Sequence, residues 1–179
     1  MIPKIIFKVS WVHNLMFDEN RYINKQERKK PKYSPKEGTE LLKKSKLFID
    51  YFNSNSEKIL KLIANKSGFY WKEDKIIVYI SDTVPNSYED PLTLKYQENR
   101  ECMHLVLIHE LIHRNVPENL QNSVTDKERE TWVEVISKEI YDILNINCPE
   151  YPGLDIRNVN KFDKPKEQSL KEYLYKTMN

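Results

Sequence analysis

Two histidines and a glutamate at positions 109, 110 and 113 are the residues most able to do chemistry in this chain. On a helix, positions i and i+4 share a face, so His109 and His113 can turn their imidazoles to one centre. Two convergent imidazoles are metal-ligand chemistry, with zinc the first candidate. Glu110 projects beside that centre, where a carboxylate can take a proton from a water activated by the metal. The surrounding run, Met103 to Ile112, is too apolar for a loop. It predicts a buried helix over Asn99 to Asn115, closed by Val116-Pro117. Burial makes the histidines, Glu110 and the further His104 costly unless they are partnered, which also favours a metal.

A catalytic zinc takes three protein ligands and leaves the fourth position to water. The next helix downstream must supply the third. Thr125-Asp126-Lys127-Glu128 reads as a capping box that opens a helix through Trp132, Val133, Ile136, Ile140, Ile143 and Leu144, to about Asn145. Its acidic residues are ranked by helical phase. At about 100° per residue, Glu130 falls at the border of the buried face and Glu134 further toward solvent. Glu128 lies on the opposite border and Glu139 reads as an outward salt-bridge residue. Glu130 is therefore the preferred third ligand, Glu134 the next, and Asp126 a more distant third.

The elements that position this pair of helices come earlier in the chain. Residues 4 to 16 read as a strand, with Ile5, Phe7 and Val9 alternating against polar neighbours. Ser34-Pro35-Lys36-Glu37 starts an amphipathic helix over residues 35 to 52, and Asn53-Ser54-Asn55-Ser56 is expected to interrupt it. A second helix through Ile59, Leu60, Leu62 and Ile63 ends at Gly68. Lys75–Ile80 is the strongest strand, and Pro91–Tyr96 a second. They are joined by turn formers and read as a hairpin packed on the histidine helix, or as a sheet edge able to pair with an extended peptide.

Composition bounds the class. A chain of 179 residues with 39% hydrophobic and 31% charged residues suits a single globular domain. A net charge of +2 gives no argument for nucleic acid. The basic run of Lys25, Arg28, Lys29, Lys30 and Lys32 reads as a solvated loop. Cys102 and Cys148 make neither a disulfide framework nor a metal pair, and Cys102 reads as a small core residue. Without a signal-peptide pattern or a membrane span, the expectation is a soluble cytoplasmic protein.

With Glu130 as third ligand, His109-Glu110-x-x-His113 resembles the gluzincin clan of zinc peptidases, in which a glutamate on the following helix completes the site. The small size resembles the minigluzincins. The resemblance covers residues 70 to 146. The metzincin extension is absent, since Val116 and Asn119 stand where glycine and histidine would be required. Nor does Arg100-Glu101-Cys102-Met103 look like the upstream segment of a deformylase.

The resemblance implies an α+β, zincin-like domain over residues 1–149, with a short mixed or antiparallel sheet packed on helices. It implies a zinc-dependent peptidase with Glu110 as general base and a peptide or protein as substrate. Tyr96, His104, Tyr141 and Tyr151 are candidates for stabilising the oxyanion. Residues 150–179 form a tail with a short helix, which either covers the core or lies across the cleft and keeps the enzyme latent. The alternative class is a metal-stabilised binding or regulatory module without turnover.

Overall fold

The computed structural model describes residues 1–9, 35–84, 86–89, 91–146 and 168–177. The rest of the first expected strand, the basic run, Ser34, Cys148 and Tyr151 lie outside these residues. At the middle of the sheet, β2 (Lys75–Ser81) buries Ile76, Val78 and Ile80 on one face, the period-2 pattern its β-branched residues predict. β1 (Lys4–Lys8) pairs with it in parallel, from Lys4 opposite Lys75 to Lys8 opposite Tyr79. Two parallel strands need a crossover. Here the path between them includes α1 (Pro35–Lys44) and α2 (Lys46–Ser67).

α2 corrects one expectation. It runs unbroken through Asn53–Ser56 because these polar side chains bond back to their own helix. Ser54 Oγ donates to Asp50 O at 2.8 Å and Asn55 Nδ2 to Tyr51 O at 2.9 Å, on the exposed side. Phe48, Phe52, Ile59 and Ile63 hold the other face in the core. The break falls at buried Ser45, whose Oγ donates to Leu41 O at 2.9 Å. Gly68 ends α2 as expected, with φ +78° and its N–H donating to Ala64 O.

The second strand pair also differs. β4 (Leu92–Lys95) lies parallel to β2, with Tyr79 opposite Thr93, so the two do not form a hairpin. The chain leaves β2, lays down the short β3 (Tyr88–Glu89), and reverses into β4, which fits between them. The strand order is β1-β2-β4-β3, a mixed sheet with one antiparallel edge. The Tyr96 N–H donating to Ser81 O at 2.7 Å and the Lys95 N–H donating to Ser87 Oγ at 3.0 Å hold this path.

Against the sheet pack α2 and α3 (Arg100–Asn115), and α5 (Asp126–Leu144) packs on both helices; the single turn α4 (Glu118–Gln121) joins α3 to α5. The class is α+β. α6 (Leu170–Thr177) docks on α2, with Leu170 and Leu174 buried and Lys171 Nζ 5.9 Å from the centre of the Phe69 ring. Ser169 and Lys171 pack so close to Gly68 that any Cβ there would lie 2.8 Å from each. Among the described residues, no helix is long and apolar enough to cross a membrane.

Candidate metal centre

α3 is set by its ends. Asn99 caps it, with Oδ1 accepting from the N–H groups of Glu101 and Cys102 at 3.0 and 3.2 Å. Pro117 follows its last turn. Leu105, Leu107, Ile108, Leu111 and Ile112 are buried around it, so its azimuth is fixed by packing. On that frame His109 and His113 stand one turn apart, with Nε2 atoms separated by 3.2 Å.

α5 opens on the predicted capping box. Glu128 N–H donates to Thr125 Oγ1 at 3.3 Å, and Thr125 N–H donates to Glu128 Oε2 at 2.9 Å. Trp132, Val133, Ile136 and Ile140 are buried, and Tyr141 Oη donates to Leu105 O at 2.7 Å, tying α5 to α3. The turn that follows projects Glu130 toward the histidines. Its Oε2 lies 3.3 Å from His109 Nε2 and its Oε1 3.3 Å from His113 Nε2. Burial pushes the Glu130 carboxyl pKa up, but hydrogen bonds and charge from both histidines outweigh it and hold the group well below the usual carboxylate range. His109, His113 and Glu130 offer three ligand atoms within 4.8 Å of one another and could hold a metal ion.

The other sequence candidates are placed elsewhere or used otherwise. Glu134 lies on α5 with one carboxylate oxygen buried, outside this group of three. Asp126 is exposed and pairs with Arg129 at 3.2 Å. Glu139 is not outward: it meets Lys66 of α2 at 2.8 Å with its side chain 12% exposed, because α5 packs that face on α2. Glu110 is half-buried on α3 and also lies outside the group. Tyr141 is committed to Leu105 O, and His104 to an aromatic pocket of Phe48 and Tyr51. Tyr96 lines a separate cleft with Lys36 and Asp82.

Two features were not foreseen. Cys102 lies in the core as expected but is also disulfide-bonded, which corrects the reading that the cysteines make no disulfide framework. The end of α5 returns to this turn of α3, since Asn145 and Ile146 share a small cavity with Glu101 and His104. The connection after Pro117 contains Gln121, whose side-chain oxygen accepts from His113 Nδ1 at 3.2 Å. Only an amide next to a helix stop marked it in sequence, and that is a weak signal.

Beside His113 lies a cleft of about 430 Å³, lined by Trp71, Glu73, Arg114, Gln121 and Arg129 among others. Arg114 clamps Glu73 through two contacts of 2.7 Å and lowers its pKa, which joins the end of α3 to the segment before β2. No known protein family, curated protein or solved structure matches this chain.

Proposed function

We propose that this protein is a zinc metallopeptidase of the gluzincin type on a zincin-like fold. The observation that carries the reading is the convergence of His109 Nε2 and His113 Nε2, 3.2 Å apart, on the Glu130 carboxylate, whose Oε2 and Oε1 each lie 3.3 Å from one of them. A tetrahedral zinc with bonds of about 2.0–2.1 Å has ligand–ligand edges of about 3.3 Å. Two imidazoles and one carboxylate are also a donor set that suits zinc and leaves one position open.

Zinc held there would supply Lewis acidity to a water and to the scissile carbonyl. The chain's own residues do the rest. His109 and His113 present neutral nitrogen donors, and Glu130 contributes the negative charge that partly neutralises the ion. Glu110 accepts a proton from the attacking water and passes it to the leaving amine. The cleft at His113 offers room for an extended peptide, and β3, which packs by α3, is an edge strand to which such a peptide could add.

The disulfide at Cys102 favours an oxidising compartment over the cytoplasm expected from sequence, because cytosolic thiols are kept reduced. Latency by the tail is better tested by cutting the chain than by truncating it, since Leu170 and Leu174 belong to the core.

Metal analysis and a peptide-cleavage assay test the reading together. Glu130→Ala should lose stoichiometric zinc and Glu134→Ala keep it. Glu110→Gln should keep zinc and lose hydrolysis by about 10²–10⁴-fold. Full activity in Glu110→Gln would sink the mechanism. Zinc-loaded wild type that cleaves no member of a panel of unstructured proteins, before or after nicking between Ile146 and Gln168, would point to the non-catalytic module instead.

A further inference from the structure

We infer that Gln121 is a positioning residue that fixes the tautomer of His113 and thereby which ring nitrogen faces the metal; this rests on the metal reading above. The side-chain amide of Gln121 makes three hydrogen bonds. Nε2 donates to His113 O at 2.7 Å and to Val116 O at 3.0 Å, while Oε1 lies 3.2 Å from His113 Nδ1.

These partners decide one another. Both carbonyls are pure acceptors, so the amide cannot be reversed without setting its oxygen against two others. Oε1 therefore faces Nδ1. An amide oxygen only accepts, so Nδ1 carries the hydrogen. In the neutral ring the lone pair is then on Nε2, the atom 3.2 Å from His109 Nε2 and 3.3 Å from Glu130 Oε1.

The local sequence explains how one residue reaches all three partners. Val116-Pro117 stops α3, and its closing carbonyls are left without helical donors. The N–H groups of Leu120 and Gln121 donate to Pro117 O at 2.9 and 3.2 Å, winding α4 into a single turn that brings Gln121 back to the end of α3. The same amide thus closes the helix end and holds the ligand. Partners of this kind set ring orientation and raise ligand basicity at metal sites.

Two variants of the full chain separate the roles. Gln121→Glu keeps an acceptor for Nδ1–H but can no longer donate to the two carbonyls. Gln121→Met, similar in length, keeps neither. Zinc affinity is read by competition with a chromophoric chelator, ligand geometry by the visible spectrum of the cobalt(II) form, and helix closure by thermal unfolding of the apo protein. Both variants should unfold at lower temperature than wild type. Only Gln121→Met should bind zinc about 10–100-fold more weakly and shift the cobalt bands, with Gln121→Glu within about threefold of wild type.

Wild-type affinity in Gln121→Met, or equal weakening in both variants, overturns the inference. The first result would show no role and the second a helix closure alone. If Gln121→Met fails to fold, Gln121→Glu still decides, since weak zinc binding in that variant contradicts the tautomer role. A wild-type chain that binds no zinc would overturn the metal reading and this inference together, and that titration distinguishes the two failures.

Discussion

α3 carries three histidines, and its two ends treat them in opposite ways. His104 and His113 are 4% and 5% exposed, so burial does not distinguish them. Around His104 lie Phe48 and Tyr51, with ring centres 4.7 and 4.6 Å away, and its Nε2–H donates to Phe48 O at 3.4 Å. Burial lowers its pKa to about 4, opposed by the Phe48 carbonyl and aided slightly by Arg100. At the other end, His113 meets an amide at one nitrogen and a carboxylate plus a second imidazole at the other. The neighbours of its nitrogens, rather than its depth, set what a buried histidine can do.

The largest expected effect separates the two ends directly. His113→Ala should weaken zinc binding by more than the roughly 100-fold of a lost outer-shell partner. His104→Ala should leave zinc affinity unchanged while costing about 2–4 kcal/mol of stability through the emptied pocket. Zinc titration and urea unfolding of both variants check the pair. Comparable loss of zinc in His104→Ala would erase the distinction.

A second contrast appears on acidification of the apo protein. His104 has its folded pKa below the ordinary value of 6.5. The folded state then binds fewer protons than the unfolded chain, so its contribution is complete above pH 6.5 and declines as pH falls toward 4. The shift to about 4 implies a loss on the order of 3 kcal/mol. Glu130 is also depressed, but from a carboxylate's reference of 4.5, so its contribution persists above that pH and fades only below it. Urea unfolding at pH 7, 5.5 and 4 should show a slope that His104→Phe flattens. An unaltered slope in that variant would assign the titration elsewhere.

The smallest effect concerns the support of α5. Thr125→Ala should cost about 1 kcal/mol of stability by removing the capping box, with zinc affinity nearly unchanged. A large zinc defect would mean that the cap, and not the packing of Trp132, Val133 and Ile136, aims Glu130.

Much of the local structure was legible. The capping box at Thr125, the stop at Pro117 and the Gly68 cap depend on side chains within a few residues, and each occurs as read. The misreadings came where local and distant partners compete. Asn53–Ser56 look like a break, yet their side chains bond within α2 while Phe52 and Ile59 hold the helix in the core. β2 and β4 look like a hairpin because their spacing allows one, but β3 takes the reversal. The bond at Cys102, the Lys66–Glu139 pair and the grip of Gln121 depend on where other segments pack.

By itself, the sequence determined that His109 and His113 share one face of a helix, because the 3.6-residue repeat is a local property of the backbone. It also determined that Glu130 stands at the border of the buried face of α5. Which carboxylate meets the histidines was decided only by the tertiary structure. Helical phase describes a direction around one axis, whereas a site with ligand atoms 3.2 to 3.3 Å apart depends on how α3 and α5 pack against each other. The same packing, with the one-turn return after Pro117, brought Gln121 to the far side of His113.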